Sequence, residues 1–365
     1  MISVPFLDLR QAYLELQDDI EPAVQASLAS ARYILGPEVG NFEAQFATYT
    51  GAEHCIGVAN GLDALHLALR AIGIGPGDEV LVPSNTFIAT WLAVSLVGAT
   101  PVPVEPDPDT HNITVEGVAA TISSKTRAII PVHLYGCPAP IDDILQVART
   151  RNIPVIEDAA QAQGAAWNGR RIGGHADAVT WSFYPGKNLG AMGDAGAITT
   201  NNPDLAQKIR LLGNYGSEKK YIHDLVGFNS RLDPVQAAIL QIKLTKLDAW
   251  NARRKAVAAR YSSALASSGL TLPYPPSKAD PVWHLYVVST PKRDALQKWL
   301  RDRGIETLIH YPCPPHRQQA YGTGHHLPIA DRLSAEVLSL PIGPHLSDEQ
   351  VGLVIEAVLA FSGSV

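Results

Sequence analysis

Cysteine is scarce and badly placed for cross-linking. Cys55, Cys137 and Cys313 are three in 365 residues, odd in number, far apart, and in no CxxC or metal-ligand spacing. This excludes a disulfide framework and a thiolate metal site. The expected state is three small buried or half-buried thiols in a reducing cytosol. Long apolar runs are missing too: no uncharged stretch approaches the roughly 18 residues that cross a bilayer. The run from Met1 to Leu9 has no basic start followed by an apolar core, so it does not read as a signal peptide, and a cytoplasmic protein is expected. Positive charge is in deficit, with 29 Lys+Arg against 35 Asp+Glu and a net charge of -6. No general attraction to nucleic acid or to an anionic membrane follows from that balance. A phosphate-bearing ligand would have to be held locally.

What is present is a globular composition, 46% hydrophobic and 18% charged, long enough for a large domain and a smaller one. From about residue 54, short apolar runs alternate with amphipathic segments. The helix from Leu62 to Ile72 sets Leu62, Leu65, Leu69 and Ile72 on one stripe. Compact runs at 79–83, 101–104, 128–132, 154–156, 179–183 and 197–199 read as strands, and a helix is expected at 141–151. The strand runs lack strict alternation, as in a mostly parallel sheet buried on both faces. A long helix is expected from Asp233 to about Leu265, and the Pro- and Gly-rich stretch 269–276 then marks a domain boundary. Beyond it, a strand at 284–289, a helix near 293–303, the run 307–310 and two closing helices suggest a small α+β domain. No internal repeat is visible.

Ligands of open α/β sheets sit beyond the carboxyl ends of the strands. Three such ends stand out: Asn60 and Gly61 after 55–58, Asp158 after 154–156, and Lys187 after the strand ending near Phe183. Taken singly, each has a plain reading as a turn, a cap or a solvated loop residue. Together they match the needs of pyridoxal phosphate: an amine for the aldehyde, an anion for the pyridine nitrogen, and amides for the phosphate. Lys187, Asp158 and the Gly61/Leu62 helix start fit those roles, with the Ser182 hydroxyl as a further phosphate donor. A nicotinamide site is disfavoured, because Gly73 to Gly77 does not spell GxGxxG and precedes its strand.

The stretches Glu157–Gln161 and Ser182–Lys187, together with Gly227–Ala238, resemble the DegT/DnrJ/EryC1/StrS sugar aminotransferases within the fold-type I aminotransferases. The resemblance runs from Pro5–Asp8 to Leu338–Gly343. It implies a large α/β domain, residues 1–265 with an N-terminal arm of about 1–20, whose mostly parallel seven-stranded sheet lies between helices. A smaller α+β domain, 266–365, follows. It further implies that Lys187 carries the cofactor and shuttles protons, Asp158 pairs with the ring nitrogen, and Gln161 lies near the ring hydroxyl. Phe87 would stack on the ring, and Asn229 would reach the phosphate from a second subunit of a homodimer with shared sites. Many members carry His where this chain has Gln163. Candidate substrate contacts are Tyr184, Lys219, Lys220, Tyr221, Arg231 and His310. The implied reaction uses L-glutamate to aminate a nucleotide-linked keto-sugar, and the motifs 58–65, 132–136 and 227–231 point to C3 of a dTDP-linked 3-keto-6-deoxyhexose. The alternatives are a C4 aminotransferase on a UDP-, GDP- or dTDP-4-keto sugar and a non-catalytic cofactor-binding regulator. A dehydratase of the family would carry His in place of Lys187.

Overall fold

The computed structural model describes residues 3–322 and 324–362; positions 1–2, 323 and 363–365 of the expected domains lie outside the described residues. Seven strands make the main sheet: β1 (His54–Val58), β2 (Glu79–Pro83), β3 (Thr100–Val104), β4 (Thr126–Ile129), β5 (Ile156–Asp158), β6 (Ala178–Ser182) and β7 (Gly196–Thr200). β2 lies between β3 and β4, parallel to both, and β5 is parallel to β6. Parallel bridges Ile129–Val155 and Val132–Asp158 join the two halves. β7 runs antiparallel to both β6 and β1. The order is therefore β3-β2-β4-β5-β6-β7-β1, with β7 alone reversed.

Strand period explains the two cores. Successive side chains leave opposite faces, so Leu81 enters one cluster with Phe42, Phe46 and Trp181. Val80 and Val82 enter the other with Leu65, Leu69 and Trp91. All three β2 residues are fully buried, as a sheet covered on both faces requires. A third core gathers Val257, Tyr261, Leu296 and Leu300 around β8 (Tyr286–Ser289) and β9 (Val337–Leu340), an antiparallel pair. Val4 belongs to this core, tied by its amide to the Gly304 carbonyl at 2.9 Å.

One local expectation changes. The helix expected from Asp233 to about Leu265 is two helices, Pro234–Leu244 and Leu247–Ala264. Thr245 sends both its amide, at 3.2 Å, and its hydroxyl, at 2.7 Å, to the Ile242 carbonyl, closing the turn three residues back. The halves then serve different partners: Ala237 and Leu240 face the sheet core, while Val257, Ala258 and Tyr261 face the third core. The run 307–310 joins the small domain through one bridge, Leu308 to Ser339. Cys55 is buried, and Cys137 and Cys313 are half-buried.

Candidate active site

Three strand ends meet at one rim because β1 and β6 run the same way with β7 reversed between them. Gly196, the first residue of β7, pairs with both Val58 and Ser182. A Cβ there would lie 2.5 Å from the Asn60 backbone, so only a bare residue lets the turn after β1 cross over it. Gly61 then settles against β6, where a Cβ would stand 2.7 Å from that of Ser182. Glycine at 61 is required by contact. The Asn60 side chain accepts the Asp63 amide at 2.8 Å and caps the helix Gly61–Ile72. The Gly61 and Leu62 amides lie in the first turn, where helix N–H groups have no intrahelical partner and the dipole favours an anion.

Asp158, at the end of β5, is buried with both oxygens engaged. Oδ2 accepts the Thr90 hydroxyl at 3.0 Å and Oδ1 the Ala160 amide at 3.1 Å. Thr90 is itself paired to Thr86 at 3.0 Å. Burial pushes the Asp158 carboxyl up, against the pull of those donors and of Lys187. Lys187 sits on a turn closed by its own amide to the Tyr184 carbonyl at 2.8 Å. Its side chain keeps some accessible surface, but protein surrounds it, and desolvation lowers its pKa to about 8 in spite of Asp158. At pH 7 roughly a tenth of such an amine is neutral, against a few in ten thousand for an ordinary lysine.

These groups share a cavity of about 1010 Å³. It is lined by Gly61, Leu62, Phe87, Asp158, Gln161 and Ser182, and also by Tyr184, Lys187 and His310. Gln161 accepts the Tyr135 amide at 2.6 Å and donates to the Tyr311 hydroxyl at 3.1 Å. Tyr311 in turn lies 5.5 Å, centroid to centroid, from the half-exposed Phe87 ring. The His310 Nδ1 meets the Ser339 hydroxyl at 2.8 Å. Burial and nearby Lys187 lower the His310 pKa to about 4, so its ring is neutral and offers no charge to a diphosphate.

Lys219, Lys220, Tyr221, Asn229 and Arg231 do not line this cavity. They lie on the excursion 214–231, where Tyr221 is 82% exposed and Arg231 donates to Asn214 at 2.9 Å. One chain does not bring them to Lys187.

Several residues at the site had no signal in the motifs. Thr90 orients Asp158, and Arg254 and His284 line the cavity. Gln163 lies behind the rim, fully buried, with Nε2 donating to the Ala160 carbonyl at 3.1 Å and the Ser182 carbonyl at 2.7 Å. It thereby cross-links the loops after β5 and β6, a job that needs two donors on one nitrogen. Deeper still, His133 Nδ1 accepts the Ala139 amide at 3.0 Å, so its Nε2 carries the proton donated to Glu157 at 2.8 Å.

The donor set fits pyridoxal phosphate: a lysine poised near neutrality, a buried carboxylate, and a helix start pressed so closely on Ser182 that a side chain is excluded. The DegT/DnrJ/EryC1/StrS aminotransferase family model matches residues 15–359. The chain belongs to that family. It is 52% identical over 97% of its length to the dTDP-3-amino-3,4,6-trideoxy-alpha-D-glucose transaminase of Streptomyces venezuelae, 95% of which is covered. It is also 52% identical over 97% of its length to the dTDP-3-amino-3,6-dideoxy-alpha-D-galactopyranose transaminase of Aneurinibacillus thermoaerophilus, with 98% of that chain covered. The crystal structure of S. venezuelae DesV in complex with a ketimine intermediate superposes with a TM-score of 0.99, at 51% identity and with both chains fully covered.

Proposed function

We infer that this aminotransferase moves the amino group of L-glutamate onto C3 of a dTDP-linked 3-keto-6-deoxyhexose. The observation that carries the reading is the single cavity in which Lys187 and Asp158 face one another across neighbouring strand ends. Pyridoxal phosphate, when bound, supplies the electron sink that lets a proton leave the donor α-carbon. The protein does the rest. Asp158 holds the ring nitrogen protonated, and its own fixed bonds to Thr90 and Ala160 keep it from turning away. The Gly61 and Leu62 amides and the Ser182 hydroxyl hold the phosphate; Gln161 and Phe87 orient the ring. Lys187 would carry the proton from the donor α-carbon to the cofactor's aldehyde carbon, acting as base and then acid, which its pKa of about 8 suits.

The C3 preference rests on the 3-amino products that both named relatives carry in their names. In this reading residues 1–265 form the cofactor domain and 266–365 the smaller one. The active unit is a cytoplasmic homodimer in which Asn229 reaches the phosphate of the other copy, with Tyr221 and Arg231 on the same excursion. The purified protein should be yellow, lose that colour on adding L-glutamate, and regain it with the accepting keto-sugar. Assays with dTDP-, UDP- and GDP-linked 3-keto and 4-keto sugars test the acceptor. Turnover confined to 4-keto sugars would overturn C3 and leave the cofactor site standing. A protein that binds the cofactor but never responds to any amino donor would be a regulator.

A further inference from the structure

His284 lines the cavity at the start of the segment that leads into β8, and its two ring nitrogens can be told apart. Its Nδ1 lies 3.1 Å from Asn188 Oδ1. The orientation of the Asn188 amide is fixed, because its Nδ2 sits 3.0 Å from the Val282 carbonyl, which can only accept. That Nδ2 also donates to Asn251 Oδ1 at 2.8 Å. Asn251 is fixed in the same way, its Nδ2 donating to the Gln163 carbonyl at 2.9 Å. Two backbone carbonyls thus set the direction of the whole chain, from Gln163 through Asn251 and Asn188 to the imidazole. Asn188 Oδ1 can only accept, so His284 Nδ1 must carry a proton. Burial, together with the charges of Lys187 and Arg254, holds the ring neutral. Nε2 is therefore bare. It has no partner within the described residues, and it is not among the sealed, unpartnered polar atoms, so it has open space beside it.

We propose that His284 is a positioning residue whose locked, bare Nε2 accepts a hydrogen bond from the Nζ of Lys187 whenever that lysine is free and protonated in the cavity. The inference rests on Lys187 as the cofactor lysine and proton shuttle, and gives the shuttle a resting point. A lysine that swings freely after each proton transfer loses orientation; one acceptor beside it restricts the swing without stabilising a carboxylate-type ion pair that would trap the proton. Oxygen or nitrogen at the Nε2 position is what this demands, so glutamine can replace histidine in part, and leucine cannot.

Histidine 15N–1H spectra of the full-length, cofactor-free protein, with His284 assigned by its loss in His284→Gln, read the tautomer directly. The expected state near pH 7 is neutral with the proton on Nδ1. A proton on Nε2, or a charged ring, overturns the proposal. Asn188→Ala should release the lock and move population to the Nε2–H form; an unchanged tautomer overturns the lock. Single-turnover reaction of the holoenzyme with L-glutamate gives the second reading. His284→Leu should slow it about 100-fold with the half-saturating glutamate concentration held within about twofold, while His284→Gln stays within about tenfold of the parent. Equal losses in the two variants overturn the acceptor role. Failure of the underlying function would look different: the parent holoenzyme would not react with glutamate at all, while the spectra still showed the bare Nε2.

Discussion

The cavity and the excursion 214–231 contrast in how they hold their polar groups. In the cavity, Asp158, Gln161 and His284 each have partners fixed by backbone atoms, and their neighbours are buried. The excursion has tightly closed ends and a loose body. The Asn214–Asn229 bridge and the Tyr215 amide to the Phe228 carbonyl, at 2.8 Å, pin its base. Gly216 and Gly227 pack backbone on backbone; a Cβ on Gly216 would lie 1.8 Å from the Leu225 carbonyl oxygen. Between them Tyr221, Ile222 and Val226 face outward, Val226 at 83% exposed. Glycine-dependent backbone contacts thus hold a set of apolar side chains out toward solvent. One region packs its polar groups against its own chain, and the other leaves its apolar side chains uncovered by it.

The largest test of that contrast is a mixing experiment. Lys187→Ala alone should lower turnover by at least about 10³-fold, and Asn229→Asp should inactivate by setting a carboxylate against phosphate. If each copy completes its neighbour's cavity, mixed and reassociated dimers regain about a quarter of parental activity, since half of them hold one intact site of two. No recovery breaks the idea that the excursion serves a second copy. Next, Asp158→Asn should lower kcat by about 10²- to 10³-fold with the fold unchanged by circular dichroism. A milder comparison pits stability at the two regions. Gly61→Ala should cost about 1–3 kcal/mol in denaturant midpoint through its clash with Ser182. Val226→Ala, measured at dilutions that keep the chain monomeric, should stay within about 0.5 kcal/mol. The smallest effect is in pH. Acylation of Lys187 in cofactor-free protein should rise with pH about a midpoint near 8, because the neutral amine reacts and the ammonium does not. The Asp158 carboxylate favours the ammonium, so Asp158→Asn should move that midpoint down, and an upward move would break the assignment of Asp158 as its neighbour.

The sheet was legible because its strands are short apolar runs buried on both faces, and a residue after such a run falls at the rim whatever the packing. That logic located Gly61, Asp158 and Lys187. It could not locate His284 or Thr90, whose roles come from contacts between distant segments such as 188, 251 and 284. The helix break at Thr245 was hidden for another reason: a hydroxyl bonding back to a carbonyl leaves no mark on the apolar period. Gln163, unexplained as a letter, acquires meaning once its amide spans two loops. The residues of the excursion were legible as a motif, but this chain alone does not bring them to the cavity.

The reversed strand β7 has a consequence for how the molecule is made. β1 emerges early in synthesis, yet its hydrogen-bonding neighbour begins only at Gly196, with His54 paired to Thr200. Such long sequence separation delays closure, so a nascent chain carries an apolar strand with a bare edge for most of the time the large sheet is being translated. The turn that leads into the helix at Gly61 follows directly from that strand. Protein truncated before Gly196 would therefore not be merely shorter. It would strand β1 away from β6, expose an aggregation-prone edge, and never assemble the rim at all.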